Sequence, residues 1–324
     1  MMLGYHASHE QFSPSELLNY VKAAETAGFH AIMTSDHIAP WSKRQANAGN
    51  NWAWLGAAMM ATSLPFGSLA IPGGWRYHPA VLAHLVATLA EMFPGRLRWI
   101  AAGSGEALNE HVVGQGWPDK AERNDRLLAG TNIIRALMRG EEVDEAHRWF
   151  SLDKARLWSV PEIAPSIFAA ALTPETAQWS GAWANGLVTV WKPRADLAEM
   201  VARFRAGGGE GKPLALQLQI SWALNEADAR TAAWEQWRNA AAPSDCLAEL
   251  KTPEEFDAVT AAVRPEEIDE VIPLITRADQ LLDIIQECAS CGFDEIYIHN
   301  VSLDQHAFVD FMGSAVLPEL RKVS

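Results

Sequence analysis

Two polar clusters in this sequence carry residue types that move protons. The first is Thr34-Ser35-Asp36-His37, and the second is Gly103-Ser104-Gly105-Glu106. A histidine beside carboxylates takes or gives a proton near neutral pH, because its unperturbed pKa is about 6.5. A glutamate in a glycine-rich turn acts as an acid where burial raises its pKa. The two clusters therefore predict an acid–base site.

Each cluster directly follows a short apolar run that is typical of a β-strand. Ala31-Ile32-Met33 precedes the first cluster, and Leu97 to Ala101 precede the second. The same order of helix, glycine and β-rich run recurs along the chain, and strands that follow helices in this way pair in parallel. The predicted strands are 2–7, 30–35, 65–71, 96–103, 166–172, 186–191, 214–222 and 293–300. The predicted helices are 14–27, 52–63, 79–93, 119–139, 174–184, 194–206, 226–240, 276–290 and 304–320.

This alternation predicts an α/β fold of the (β/α)₈ TIM barrel type, with residues 1–324 forming a single domain. A doubly wound sheet shares the alternation and is the alternative. A barrel places catalytic residues at the carboxyl ends of its strands, where both clusters fall. The segments 141–163 and 243–275 exceed the length of plain connections, and we expect both to be helical excursions.

Charge and composition narrow the class of partner. The chain is 49% hydrophobic and has a formal charge of −14, which argues against nucleic acid or an anionic membrane as partner. No apolar run approaches the roughly 20 residues that span a bilayer, and the first residues lack a basic leader. We expect a cytoplasmic protein with a small-molecule substrate. Cys288 and Cys291 read as packing residues, and no second pair completes a metal site.

Other polar and aromatic residues near the strand ends are less specific. His6 and His9 are expected to flank the mouth rather than to bind a metal. Trp41 and several further tryptophans are either core residues or walls for a flat ring. Thr173-Pro174 predicts a helix N-cap, whose free N–H groups either hold a phosphate or serve an ordinary capped helix. No Walker loop or strand-linked GxGxxG supports nucleotide binding by a Rossmann unit.

Several motifs, taken in order, resemble one family. They are Leu3-Gly4-Tyr5, Ala7-Ser8, Glu10-Gln11-Phe12, Ser35-Asp36-His37, Pro40-Trp41, Arg76-Tyr77, Pro79-Ala80-Val81 and the run from Gly105 to Glu110. Together they resemble the bacterial luciferase-like superfamily of flavin- and deazaflavin-dependent oxidoreductases, in particular its F420-dependent glucose-6-phosphate dehydrogenase branch. The resemblance is dense over roughly the first 140 residues and loose beyond them.

The resemblance implies a luciferase-like barrel, a homodimer, and hydride transfer between a small organic substrate and a flavin-type ring in the mouth. It assigns His37 as the base on the substrate hydroxyl and Glu106 as the acid on the cofactor side, with Glu10 and Trp41 defining the substrate pocket. It also implies a non-proline cis peptide at Leu69-Ala70. The residues expected at the cofactor are Asp36 (which alternatively orients His37), Leu69, Ala70, Gly103, Ser104, Gly105, Asn109, Leu172 and Thr173.

The sequence differs from the F420-dependent glucose-6-phosphate dehydrogenase branch in two places, and these bear on the identity of the substrate and of the cofactor. The basic clamp of that branch for a sugar phosphate is replaced here by Ala258 and the residues around Val271, and only Lys192 and Arg194 lie near the third basic position. Without that clamp a phosphate dianion loses charge-assisted hydrogen bonds, which argues against glucose 6-phosphate.

The second departure favours FMN over coenzyme F420. Leu172-Thr173-Pro174 stands where the F420 enzymes resemble one another in a Gly-Gly-Pro, so side chains occupy a place where backbone approaches phosphate. One rival function is an FMN-dependent monooxygenase that uses reduced flavin and oxygen. A rival of another class is a non-catalytic flavin-binding barrel, which fits if the two insertions fill the mouth.

Overall fold

The computed structural model describes residues 1–323, and the side chains of all of these except residues 244–245 and 321–323. The strands in this range are β1 (Met2–Ala7), β2 (Ala31–Thr34), β3 (Phe66–Ala70), β4 (Leu97–Ala102), β5 (Val143–Ala146), β6 (Ser151–Ala155), β7 (Ser166–Ala170), β8 (Gly186–Val190), β9 (Leu214–Trp222), β10 (Leu274–Ile275) and β11 (Glu295–Asn300). Eight of them form a closed parallel barrel in the order β1, β2, β3, β4, β7, β8, β9, β11, and β11 pairs with β1. The predicted (β/α)₈ barrel is confirmed.

Helices surround the barrel at nearly the predicted positions. They are α1 (Pro14–Ala27), α2 (Asn51–Ala61), α3 (Pro79–Met92), α4 (Ala107–Glu110), α5 (Lys120–Met138), α6 (Pro174–Gly181), α7 (Arg194–Phe204), α8 (Glu226–Trp237), α9 (Ser244–Leu247), α10 (Pro253–Val259), α11 (Ala278–Ser290), α12 (Gln305–Phe311) and α13 (Leu317–Val323). Across residues 1–323, no helix combines the length and apolar character needed to cross a membrane.

The helix boundaries follow local signals. Ser13 and Glu16 form a capping box at the start of α1, Pro14 occupies its first position, and Gly28 ends it with a φ of 99°. The predicted helix 304–320 is present and contains one π-helical turn at residues 312–316, between α12 and α13. The end of the predicted helix 226–240 tightens into a 3₁₀ turn after Trp237.

The amino end of the barrel is filled by side chains. Trp99 stacks on Phe168 with ring centroids 5.4 Å apart, and Tyr297 meets the same indole edge-on. Glu295 accepts hydrogen bonds from Trp99 Nε1 at 2.9 Å and from the Tyr297 hydroxyl at 2.6 Å. Because this end is a packed and hydrogen-bonded plug, a site must lie at the opposite, carboxyl end of the strands.

The prediction of a helical excursion at 141–163 is wrong. β5 and β6 form an antiparallel hairpin there, closed by a hydrogen bond from the His147 N–H to the Phe150 carbonyl. Only a few residues of the segment are buried, among them Val143, Phe150 and Leu152, and they do not form the continuous stripe that a helix buries. The excursion at 243–275 is helical, through α9, α10 and a 3₁₀ turn, and ends in β10 beside β9.

The expected cis peptide at Leu69-Ala70 is also absent, since residues 1–323 contain no cis peptide bond. Both residues continue β3 in register with Ala101 and Ala102 of β4. The trans form is favoured by about 3–4 kcal/mol at a non-proline bond, and regular strand pairing offers nothing that offsets this difference.

Candidate functional site

Barrel closure brings residues from separate strand ends together at one mouth. Glu10 follows β1 and His37 follows β2, and the distance from His37 Nδ1 to Glu10 Oε1 is 3.5 Å. Both residues are buried, with relative exposures of 2% for Glu10 and 8% for His37. A histidine held beside a buried carboxylate is a suitable base for a substrate hydroxyl.

Two serines fix the Glu10 carboxylate. Ser8 Oγ donates to Oε2 at 2.7 Å, and Ser35 Oγ donates to Oε1 at 2.7 Å. Burial alone raises the pKa of Glu10, but the positive field of His37 and the two hydroxyl donors outweigh burial and lower this pKa to about 2. Glu10 is therefore ionised throughout the physiological pH range and places a negative charge next to His37.

A second charged group joins the ends of β2, β3 and β4. Arg76, in the loop after β3, donates from Nε to Glu110 Oε1 at 3.0 Å and from Nη2 to the Asp36 carbonyl at 2.9 Å. Its Nη2 also lies 3.5 Å from Asp36 Oδ2. Sequence reasoning did not assign a site role to Arg76 or Glu110, because nothing in a single sequence signals that residues 34 positions apart pair across a loop.

Glu106 lies at the end of β4 and is only partly buried. Burial raises its pKa, and the nearby carboxylates of Glu10 and Glu110 raise it further, while His37 and Arg76 lower it without reversing the shift. Asn109 lies one turn on, where its Oδ1 accepts a hydrogen bond of 3.0 Å from the Ile38 N–H. This contact joins α4 to the loop that carries His37.

One side of His37 is lined by aromatic rings. The Trp41 ring lies 4.9 Å from the His37 ring and 5.2 Å from the ring of Phe256 in α10, measured between centroids. The Ala107 N–H donates to the Ala248 carbonyl at 3.0 Å, so the 243–275 segment also touches the β4 exit. Trp52 and Trp54, in contrast, are buried core residues of α2.

Buried histidines lie beneath the mouth. The His6 and His299 rings are 4.6 Å apart, and His299 is held by Gln217 at Nδ1 and by Gln11 at Nε2. Burial, followed by the field of His299, lowers the pKa of His6 well below its usual value, and burial lowers that of His299 to about 3. Both rings are therefore neutral near pH 7.

The mouth has the features that a flat, polar ring requires. Asp36 Oδ1 and His37 Nδ1 are buried and have no hydrogen-bond partner among the residues that the structure describes, and Ser104 and Gly105, after β4, are partly exposed. Leu69 contacts the barrel-interior cluster, and Gly103 lies on the adjacent strand exit. The Ala70 side chain belongs to the core between strands and helices, so only its backbone can line the mouth.

The expected phosphate position lies at the start of α6. Thr173 caps this helix by accepting from the Thr176 N–H at 3.3 Å, and Lys192 Nζ donates to the Leu172 carbonyl at 2.6 Å. A helix N-terminus with an ammonium group beside it suits a phosphate. The residues present therefore fit a ring cofactor that carries a phosphate.

This fold and mouth place the protein in a known class. Residues 1–295 match the family model of the luciferase-like monooxygenases, and the chain belongs to this family. It is an oxidoreductase.

Individual relatives are similar over almost the whole chain. The chain is 30% identical to an F420-dependent glucose-6-phosphate dehydrogenase of Beutenbergia cavernae over 330 residues, covering 99% of this chain and 98% of the relative. It is 30% identical to an F420-dependent hydroxymycolic acid dehydrogenase of Mycobacterium tuberculosis, covering 98% of this chain and 88% of that protein. A solved F420-dependent secondary alcohol dehydrogenase in complex with an F420-acetone adduct superposes with a TM-score of 0.91 at 28% identity, covering 99% of each chain.

Proposed function

We infer that the protein transfers a hydride between a small hydroxyl or carbonyl compound and coenzyme F420 held in the barrel mouth. The observation that carries this inference is the buried His37–Glu10 pair, 3.5 Å apart, which lies at neighbouring strand ends with the partly exposed Glu106. The proposal takes residues 1–324 as a single domain and the active species as a homodimer.

Coenzyme F420 is preferred over FMN as the cofactor. The three relatives described above are all named for F420, whereas the expectation of FMN rests only on Leu172-Thr173-Pro174. The Thr173 hydroxyl caps its own helix by accepting from the Thr176 N–H, so a phosphate at this position would rely on Lys192, whose Nζ lies beside the Leu172 carbonyl. FMN is the alternative, and the same residues serve either ring.

His37 accepts the proton of the substrate hydroxyl as the alcohol is oxidised. The adjacent Glu10 is already ionised and is held by Ser8 and Ser35, so it stabilises the positive charge that forms on the imidazole. Trp41 covers one side of His37 and reduces the access of water.

The bound ring supplies the hydride acceptor. Glu106 is assigned as the acid on the cofactor side, because burial raises its pKa and so favours the protonated carboxyl group. Asp36, which is buried after β2 beside Arg76, is assigned to the ring or to the orientation of His37. Asn109 holds the His37 loop by accepting from the Ile38 N–H at its Oδ1, and its Nδ2 donates to Glu106 Oε2 at 3.4 Å.

The test is a titration of the purified protein with F420 and, separately, with FMN, followed by fluorescence quenching. We expect saturable binding of F420 in the micromolar range and weaker binding of FMN. FMN binding with oxygen-dependent consumption of the reduced form favours a monooxygenase. Ring binding without turnover of any alcohol or ketone favours a non-catalytic barrel, and binding of neither cofactor refutes the proposal.

A further inference from the structure

Four cations on the segments that follow β2, β3 and β4 are already paired with carboxylates. The pairs are Lys43–Glu254, Arg44–Asp257, Arg76–Glu110 and Arg123–Glu249, with N–O distances of 2.6, 3.0, 3.0 and 3.2 Å. Three of the four carboxylates belong to the 243–275 segment, which covers this end of the barrel. The segment therefore pairs with Lys43, Arg44 and Arg123, and an anionic substrate has to compete with its carboxylates for these three cations.

The pairing is reinforced beyond simple charge contacts. Asp257 also accepts from Ser42 Oγ at 2.6 Å and from the Lys43 N–H at 3.3 Å. Arg44 Nε donates to the Glu235 carbonyl at 2.7 Å, which fixes the guanidinium in place. These bonds anchor the loop after Trp41 to α8 and α10. Lys43 and Arg44 are therefore not free to bind a substrate.

The chemistry around His37 is acidic. Glu10, Asp36, Glu106 and Glu110 lie at neighbouring strand ends, and Arg76 is the guanidinium that contacts two of them. Glu10 is ionised, so a phosphate dianion placed beside His37 meets its negative charge at short range. The whole chain adds to this effect, because its formal charge of −14 repels anions at longer range.

The surface that the 243–275 segment turns toward His37 is apolar. Phe256 is 1% exposed and packs against Trp41, which in turn covers His37. Trp41 also contacts a cluster that joins α8 to the segment, made of Ala233, Trp237, Ile268, Ile272 and Val301. A pocket wall of this kind binds hydrocarbon groups and offers nothing to a phosphate or carboxylate.

From these contacts we propose that the 243–275 segment is a specificity element that selects an uncharged secondary alcohol or ketone with apolar substituents and excludes phosphorylated sugars. This inference rests on the function proposed above. We give the charge pairs a role in substrate selectivity, because exposed ion pairs such as Lys43–Glu254 contribute little to the stability of the fold.

The first experiment compares cyclohexanol, glucose and glucose 6-phosphate as substrates of the F420-loaded protein. We expect kcat/KM for cyclohexanol to exceed that for glucose 6-phosphate by about 100-fold or more, since two or three charge-assisted hydrogen bonds to phosphate are missing. We also expect glucose 6-phosphate to be used no better than glucose. A preference for glucose 6-phosphate over glucose of tenfold or more overturns the inference, as does a failure to oxidise cyclohexanol while F420 binds.

A binding measurement needs no turnover. Calorimetric titration of the cofactor-free protein with glucose 6-phosphate and with inorganic phosphate should give no heat of binding at the mouth at millimolar concentrations. Binding of glucose 6-phosphate that a Trp41→Ala change abolishes overturns the inference. Absence of F420 binding in the quenching titration is a different result, because it refutes the proposed function itself.

Substitutions in the 243–275 segment test its proposed role in substrate specificity directly. The double change Glu249→Gln with Glu254→Gln releases Arg123 and Lys43, and we expect the ratio of kcat/KM for glucose 6-phosphate to that for glucose to rise severalfold. Glu270→Gln is the matched control, since Glu270 is exposed on the same segment and its loss changes the net charge in the same direction. An unchanged ratio in the double variant, or an equal rise in the control, overturns the role of the two carboxylates.

Discussion

Glu110 holds both the main chain and the side chain of Arg76. Its Oε2 accepts from the Arg76 N–H at 3.0 Å and from the Trp75 N–H at 2.6 Å, while Oε1 accepts from Arg76 Nε at 3.0 Å. Glu110 is fully buried, and the Arg76 guanidinium that it binds also lies 3.5 Å from Asp36 Oδ2. One carboxylate thus sets the path of the loop after β3 and, through Arg76, the position of an acidic residue at the mouth.

Removing the charge of Glu110 is expected to destabilise the protein strongly. Glu110→Gln leaves a buried guanidinium with weaker partners, and we expect the free energy of unfolding to fall by about 3 kcal/mol or more. Urea denaturation measures this change. Glu141→Gln, which breaks the exposed Arg139–Glu141 pair, is the control and should leave the free energy of unfolding nearly unchanged.

The coupling between the two residues is tested by a double-mutant cycle with Arg76→Gln. We expect the double variant to be more stable than the sum of the single losses predicts, by about 1 kcal/mol or more, because the second change removes the charge left unpaired by the first. Additivity of the two losses contradicts a direct pair.

His37 and Glu10 are predicted to act in the same proton transfer. We expect His37→Ala to lower kcat by about 10² to 10⁴, the usual contribution of a positioned base, with the F420 dissociation constant changed little. Glu10→Gln should lower kcat by about tenfold or more. His84→Ala, at an exposed position on α3, is the matched control. Full turnover in His37→Ala, measured by the loss of F420 absorbance, refutes the assignment.

Glu106 is predicted to support turnover while lowering the stability of the folded protein at neutral pH. The pKa of Glu106 in the folded protein is raised above its unfolded value near 4.5. Between these two pKa values the folded protein binds more protons than the unfolded chain. Stability therefore falls as the pH rises through this range. Glu106→Gln removes that cost. We expect a higher urea midpoint than wild type at pH 7.5, a smaller gain at pH 5, and slower turnover. An equal gain at both pH values contradicts a raised pKa.

The sequence was sufficient for the barrel because its signals are local. Capping residues, glycines after helices and apolar runs repeat with each βα unit, and parallel pairing with short connections leaves few topologies. The pairing of Glu10 with His37 was not predicted, because Glu10 was assigned only through the family resemblance, as a residue that defines the substrate pocket. The hairpin at β5 and β6 was missed because its buried residues are too few to show a period.

The contacts that sequence reasoning missed all depend on loops. Arg76 meets Glu110 only because the loop after β3 turns through Gly73 and Gly74, and the Gly74 position has no room for a Cβ beside the Glu110 carboxylate. Ser42 and Asp257 lie 215 positions apart and meet only because the 243–275 segment folds back over the mouth. Neither pair leaves a periodic trace in the sequence.

Buried histidines are predicted to control acid sensitivity. His9 is fully buried against Trp54, and neither ring nitrogen has a hydrogen-bond partner within the described part of the chain. Burial lowers the pKa of His9 to about 4. Between the unfolded value near 6.5 and the folded value, the unfolded chain binds more protons, so stability is lost as pH falls through this range.

The change His9→Phe removes this titration while keeping a ring against Trp54. We expect the slope of unfolding free energy against pH, measured with urea from pH 6.5 to 4.5, to decrease by up to about 1.4 kcal/mol per pH unit, the value for one proton. His84→Gln, at an exposed position, should leave the slope unchanged. If His9→Phe retains the wild-type slope, His9 is not the neutral buried group that its surroundings indicate, and the acid sensitivity must come from His6 and His299.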